Sequence, residues 1–372
     1  MSGIIIEKAT ENDNIGICRL CEIPMAGVIS LVMERAPDYF AGAKIQNQQV
    51  AVYVCKKVAD NTVIGLFSIG KRNVFLNGTP TWVYYFSDLR IHPDFQKSSL
   101  LIRMSKFIKE HKIVEENELA HTVVFSENKT MTDLIARGND ELLKKLSLPK
   151  YAIYGKYCSY MISLTKRRKK RMTTLLIRKA NINDVNKMQL FFNDEASKKQ
   201  WYPCYEFSKL TADYYQDIDI EDFYLAFNGK DLVGITGTWD QKNFKQTKVF
   251  SYSPMLKKLR PAINSLSAIT GGFKLPPEGE KLNYFTLHST VTKNNQADIF
   301  CDLVEQIYRD NYRKSYDYFL CGLDKEDPLN IAFDNFKTKK IIRGNFYLVS
   351  FHLDNQPFNP SSKAYYLEAS RI

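Results

Sequence analysis

One stretch of the chain gathers the residue types that chemistry needs: Tyr84-Tyr85-Phe86-Ser87-Asp88-Leu89-Arg90-Ile91-His92-Pro93-Asp94-Phe95-Gln96-Lys97-Ser98-Ser99-Leu100-Leu101-Ile102-Arg103-Met104. Its first half predicts a strand that runs into Pro93. A short polar loop follows, and a helix opens at about Ser98 with apolar residues at 100, 101, 104 and 107. Such a turn aims the free N–H groups of the first helical turn, and the positive end of the helix dipole, at one point. That point suits an anion. Ser98 and Ser99 add hydroxyl donors there, and Lys97 adds a full charge.

The same strand offers a base. With Leu89 and Ile91 facing the core, alternation puts Asp88, Arg90 and His92 on the opposite face, toward a cleft. Asp88 is the first candidate for a general base, and Glu127, near the end of the next predicted strand, is the second. His92 stands directly before Pro93 and reads as a turn residue first, a base second. In the second half of the chain, His288 reads as hydrogen-bonded core, and Trp201-Tyr202-Pro203-Cys204-Tyr205 as a candidate aromatic substrate wall. The seven cysteines are scattered. Cys18 and Cys21 form a CxxC without a second Cys or His pair at metal spacing, so reduced thiols and no metal are expected.

Positioning these groups takes a framework, and the chain builds one twice. Ile4-Ile5-Ile6-Glu7-Lys8-Ala9-Thr10-Glu11-Asn12-Asp13 matches Leu175-Leu176-Ile177-Arg178-Lys179-Ala180-Asn181-Ile182-Asn183-Asp184 at an offset of 171. In both a strand ends in Lys-Ala and a helix cap follows. Asn61-Thr62-Val63-Ile64-Gly65-Leu66 likewise matches Lys230-Asp231-Leu232-Val233-Gly234-Ile235. This reads as a tandem duplication. Each half predicts a strand, one or two helices, a hairpin, a strand, a helix, a strand, a short helix and a final strand. The helices in the first half fall within 13–45, and a helical stretch is expected near 208–217. The fold class is α/β (α+β), a mixed, mostly antiparallel sheet flanked by helices. The expected divisions are a first domain over 1–165, a basic linker at 166–172 and a second domain over 173–372. The second domain carries an inserted segment, 253–281, expected to pack against the other domain.

Composition narrows the class. The chain has 372 residues, 44% of them hydrophobic, which supports two packed cores and excludes disorder and coiled coil. The net charge of +11 loses six when the run Lys166-Arg167-Arg168-Lys169-Lys170-Arg171 is set aside, so it reads as a solvated linker before a nucleic-acid surface. No apolar stretch nears the roughly 20 residues of a membrane helix. The start, MSGIIIEKATEND, shows no secretory signal, and a cytoplasmic location is expected.

The segment 84–104 resembles the acyl-CoA-binding motif of the GNAT superfamily, the Gcn5-related N-acetyltransferases. Leu89, Ile91 and Pro93 fill the strand positions of that motif, Gln96 its [QR] position, and Ser99 and Leu101 stand where the family has its two glycines. The order of elements in each half is similar to one GNAT domain, so the resemblance covers nearly the whole chain. The second half, Leu287-His288-Ser289-Thr290-Val291 and on, has no glycine at its turn, and its segment from Arg260 to Pro277 together with Gly322-Leu323 and Asp327-Pro328-Leu329 resembles uncharacterised bacterial two-domain GNAT-like proteins. The turn at Asn294 and Asn295 reads as an ordinary loop.

The resemblance implies acetyl-CoA as cosubstrate, held by Leu89, Arg90, Ile91, Gln96, Lys97, Ser98, Ser99, Leu100 and Leu101, with Asn128 near the pantetheine arm. It implies transfer of the acetyl group to an amine, with the backbone around Arg90 and Ile91 as oxyanion donor. The tyrosine that often protonates the leaving thiolate has no counterpart in 129–136 or 327–336. The expected acceptor is a small-molecule or peptide amine; membrane and nucleic acid are not expected partners, and a homodimer is the candidate assembly. Two readings compete with the enzyme: a catalytically degenerate GNAT-fold module that binds acyl-CoA, a metabolite or a partner, and a tRNA-dependent aminoacyl transferase.

Overall fold

In the computed structural model, residues 3–372 are described apart from 26, 97, 116–117, 138–139, 170, 211–212, 271 and 352–363. The first half runs β1 (Ile4–Lys8), α1 (Asn14–Cys21), β2 (Ile29–Glu34), α2 (Tyr39–Lys44), β3 (Gln49–Lys57), β4 (Val63–Leu76), β5 (Thr79–Ile91), α3 (Leu100–Glu110), β6 (Ala120–Phe125), α4 (Lys129–Arg137), α5 (Asp140–Leu146) and β7 (Lys150–Ser163). The second runs β8 (Leu176–Lys179), α6 (Val185–Ala196), β9 (Tyr202–Pro203), β10 (Phe223–Asn228), β11 (Asp231–Trp239), β12 (Gln246–Tyr252), α7 (Pro254–Thr270), β13 (Tyr284–Thr292), α8 (Ala297–Asn311), β14 (Tyr318–Asp324) and β15 (Lys339–Ser350). The sequence repeat becomes a repeated helix entry. Asp13 Oδ2 accepts from the Thr10 N–H and Asp184 Oδ2 from the Asn181 N–H, both at 2.9 Å, completing a capping box in each half.

The expected mixed sheet is present, but the halves do not form two separate sheets. A single sheet, 13-stranded over the described residues, runs β1-β3-β4-β5-β6-β15-β7-β14-β13-β11-β10-β8, with β9 paired to β4. Each half lends its last strand to the other. β15 pairs with β6 from Gly344 opposite Phe125 to Val349 opposite Ala120, and β7 pairs with β14 from Tyr318 opposite Ser163 to Asp324 opposite Tyr157. Between them β7 and β15 form the central antiparallel pair.

Three layers follow from the alternation of side chains. Leu100, Met104 and Ile108 of α3 pack on Cys55, Phe67 and Tyr84, while Ile17 and Leu20 of α1 and Tyr39 of α2 pack on Val52, Val54 and Leu66 from the other face. A larger core fills the second half and includes Tyr202, Tyr205, Phe223, Trp239 and Phe333. A buried arginine joins the halves. Arg371 lies 3.6 Å from the Tyr214 ring centroid and donates to the Ile45 and Tyr214 carbonyls, while its own carbonyl accepts from Arg72.

Several local expectations are corrected. The segment 29–34, expected within a helical region, is a strand that pairs with β12, so a two-stranded sheet of Gln246 to Tyr252 against Glu34 to Ile29 crosses between the halves. The expected helix near 208–217 consists of short 3-10 turns. The inserted segment packs mainly on its own half: Phe273 stacks on Tyr318, and Tyr318 donates to the Lys274 carbonyl. The contact across the halves comes mostly from β12, just before it. The basic run is exposed at Lys166, Arg167, Lys169 and Arg171 but is anchored at two points. Arg168 pairs with Glu305 and lies 4.0 Å from the Phe336 ring centroid, and Arg171 pairs with Asp298 and Asp302, because α8 turns its acids toward the run. Trp201, Tyr202 and Tyr205 are buried core and line no wall.

Two buried histidines make stability pH-dependent. Burial, followed by the nearby Arg72, holds His121 well below the free imidazole range; burial and then Arg371 push His288 down to about 3, with Thr238 opposing. The unfolded chain therefore binds protons that the folded chain refuses as pH drops below about 6.5. Stability should fall there, by about 1.4 kcal/mol per pH unit for each histidine. Urea midpoints at pH 7.5, 6 and 5 check this, and a flat or rising profile would contradict it.

Candidate active site

On β5, Ser87 lies opposite Ser68 and Arg90 opposite Leu66, so Phe67 alone faces both Asp88 and Leu89. This is a β-bulge, and Asp88 sits in it with φ +52°. Aspartate is among the few residues that enter the left-handed region without large cost. A bulge re-aims side chains and ends pairing. Both occur here: β5 is paired with β6 only through 84–86 against 120–122, whereas β6 continues along β15 to Phe125. A wedge opens between 87–91 and 123–125.

Backbone direction assigns the donors along that wedge. The His92 N–H donates to the Ile64 carbonyl at 2.9 Å. By the two-residue period of a strand, the Arg90 N–H also faces β4 and the Ile91 N–H faces the wedge. Of the two residues expected around the oxyanion position, Ile91 is therefore the one aimed correctly. Leu89, expected in the core, is 43% exposed, because the bulge rotates it out of register.

On the α1 and α2 side, the Asp88 carboxylate accepts from the Tyr39 hydroxyl at 3.1 Å and pairs with Arg35 Nη2 at 3.5 Å. Burial and then the Asp88 charge raise Tyr39 well above the usual phenol range, which keeps it a donor. Arg35 is buried, and its Nε and Nη1 have no hydrogen-bond partner among the described residues. Lys245 reaches the same neighbourhood from the loop after β11 and donates to the Ile372 backbone oxygen at 2.5 Å. Burial, then the Arg35 charge, push it down to about 7, with Asp88 opposing. With Gln246, Lys281 and Tyr284 it lines a cavity of about 250 Å³.

The other expected residues divide. His92 is a turn residue: its Nδ1 accepts from the Asp94 N–H and lies 3.6 Å from the Asp94 carboxylate. Glu127 is exposed after β6, and Asn128 caps α4, its Oδ1 accepting from the Met131 N–H at 3.2 Å. Gln96 donates back to the Ile91 carbonyl. Ser98 spends its proton on the Phe95 carbonyl at 2.6 Å and accepts from the Leu100 N–H, so it is no free donor. Leu100 is buried, Leu101 half-buried and Ser99 exposed. Lys97 lies outside the described residues. The first α-helical bond, Arg103 N–H to the Ser99 carbonyl, leaves the Leu101 and Ile102 amides at the open end of α3.

The second half repeats the geometry and fills it. Thr236 faces both Ser289 and Thr290, and Ser289 has φ +50°. β13 pairs with β14 only through 284–286 against 318–320. Against this bulge lies Glu368, whose Oε2 accepts from the Ser289 N–H at 2.9 Å and from the Tyr366 hydroxyl at 3.1 Å, while Oε1 accepts from Ser370. At the turn before α8, Glu195 accepts from the Asn294 N–H at 3.0 Å, and Asp327 accepts from the Asn295 side chain and from Lys199. Carboxylates hold both the bulge amide and the turn. His288 is buried there, its Nδ1 3.0 Å from Ser289 Oγ, in keeping with a hydrogen-bonded core residue.

Two bulged strands, each splaying from a parallel neighbour before a helix, decide the comparison with known structures. The chain has the GNAT fold. It is similar to Saccharomyces cerevisiae N-myristoyltransferase with bound myristoyl-CoA, with a TM-score of 0.59 and 10% identity over 94% of this chain and 80% of that one. It is also similar to a GCN5-related N-acetyltransferase from Sphaerobacter thermophilus, with a TM-score of 0.54 and 10% identity over 95% of this chain and 97% of that one. At such identities the likeness is one of fold. The sequence matches no family model and no curated protein. Among the described residues no helix is long and apolar enough to cross a membrane.

Arg35, Tyr39, Lys245 and Glu368 were not legible as parts of a GNAT-fold site in the sequence. Arg35 stands between Glu34 and the Asp38 cap of α2, and no local signal marked it as the partner of Asp88. Lys245 and Glu368 carried none, since both arrive through long-range packing.

Proposed function

We propose that this chain is an acyl-CoA-dependent N-acyltransferase, built by tandem duplication, that moves an acetyl group from acetyl-CoA to an amine in the wedge of the first half. The observation that carries this reading is the asymmetry of two like bulges: that of β13 is filled by Glu368, while among the described residues no carboxylate lies against the amides of β5. The Leu101 and Ile102 amides and Ser99 would receive the pyrophosphate, Leu89 and Ile91 would flank the pantetheine arm, and Asn128 marks its far wall. The Ile91 N–H faces the thioester oxygen as it gains charge.

The amine comes from the Asp88 side. It arrives as an ammonium with a reference pKa near 10.4 and must lose a proton before its nitrogen bonds the carbonyl carbon. Asp88 attracts the ammonium and takes or relays that proton, with Glu127 as second candidate and His92 held in its turn. The C–N bond forms, the C–S bond breaks, and the thiolate leaves with a proton from solvent. The second half supplies β15, which fixes β6, and the Lys245 wall.

Calorimetric titration with acetyl-CoA, CoA and myristoyl-CoA tests the reading. One acetyl-CoA site per chain is expected, because carboxylates occupy the second wedge. No binding at millimolar acetyl-CoA would end the proposal, and tighter myristoyl-CoA than acetyl-CoA binding would end the acetyl assignment. Ser99→Glu should weaken acetyl-CoA at least about tenfold, roughly 1.4 kcal/mol, by setting a carboxylate where phosphate binds. Unchanged affinity in that variant would remove the start of α3 from the site.

A further inference from the structure

Helix α7 carries an apolar stripe that the body of the protein leaves bare. Met255, Leu259, Ala262, Leu266 and Ile269 recur at alternating spacings of four and three, the spacing by which one helix seats its side chains into another. Met255 is 73% exposed, Leu259 46%, Leu266 62% and Ile269 85%. The helix rests on the body through an adjacent face, where Arg260 and Asn264 bond the Leu275 carbonyl. Val28 and Phe250, also exposed, lie beside its start, where the Ser253 N–H donates to the Val28 carbonyl. Soluble monomers seldom leave so continuous an apolar surface open.

We propose that this stripe is a homodimer interface in which α7 packs antiparallel against α7 of a second copy. The residues are complementary to themselves in that direction. A two-fold axis through Ala262 sets Met255 against Ile269 of the partner subunit and Leu259 within one residue of Leu266 of the partner subunit, with the smallest side chain at the crossing point. Charge agrees. Every charged residue of α7 is basic and lies in its first half, Lys257, Lys258 and Arg260, whereas 265–270 are uncharged. Antiparallel packing brings each basic half beside the carbonyl end of the partner's helix, which favours cations, while parallel packing would stack lysine on lysine. This proposal does not rest on the acyltransferase reading.

Sedimentation equilibrium of the full chain across a hundredfold concentration range should show a reversible dimer. Leu259→Glu and Leu266→Glu should each abolish it; both sites are exposed, so the fold is expected to survive, and circular dichroism verifies that. Ala262→Cys should cross-link to itself under mild oxidation, above the background of the native thiols. Met255→Cys and Ile269→Cys should cross-link when mixed, and not singly. A monomer at every concentration, or a dimer untouched by both glutamates, overturns the proposal. Self-cross-linking of Met255→Cys with none at Ala262→Cys overturns the antiparallel arrangement.

Discussion

Asp88→Asn should lower turnover by about 10²–10⁴-fold, the range that a positioned acid or base contributes, while acetyl-CoA affinity stays within about twofold. The amide keeps an acceptor for the Tyr39 hydroxyl and the size of the side chain, so the bulge persists; the negative charge and the proton-accepting oxygen are lost. Arg35 then has no counter-charge, and a buried unpaired guanidinium is costly. Thermal denaturation must therefore accompany the kinetics, and Tyr39→Phe serves as control, since it removes a hydrogen bond to the same carboxylate without touching its charge. Loss in Asp88→Asn alone, with acetyl-CoA still bound, places the charge in the reaction. Full turnover would move the role to Glu127, which Glu127→Gln would then test.

The largest expected loss of stability lies in the other half. Lys199 and Asp327 are 5% and 3% exposed at the side chain and 2.8 Å apart, and Asp327 also accepts from the Leu329 N–H and the Asn295 side chain. Lys199→Met matches the aliphatic stem and removes the cation. A buried pair broken on one side costs about 3–5 kcal/mol, because the remaining ion has left water without its partner. Denaturant titration should show that loss in Lys199→Met, and the double variant Lys199→Met with Asp327→Leu should recover part of it. A single-variant loss below about 1 kcal/mol would mean that Asp327 is solvated after all.

What could be read from the sequence followed from local rules. The Lys-Ala strand ends and their Thr10 and Asn181 caps repeat because a capping box is a four-residue affair. β11 was legible over 231–239 from the hairpin turn before it and its match to the strand after Asn61. Residues 29–34 were not, because a short strand whose partner lies beyond residue 245 leaves no local mark, and Ile29–Glu34 carries more helix formers, Leu31, Met33 and Glu34, than strand formers, Ile29 and Val32. Alternation placed Asp88 on the acceptor side but misplaced Leu89, since a bulge inserts a residue that strict period two cannot anticipate. The exchange of β7 and β15 was beyond reach for a similar reason: two alternating strands of like length fit either neighbour equally well on paper.

That exchange has a bearing on how the protein is made. Phe125 finds its sheet partner at Gly344, so the far wall of the first wedge cannot close until the chain has been made beyond residue 344. Until then the first half carries a raw edge on β6, the kind of surface that recruits stray strands. A chain interrupted between Asn128 and β15 would hold every residue of the first wedge and still lack its finished shape. The acyl transfer proposed for this wedge would thus be withheld from copies that stop short of β15, by topology alone.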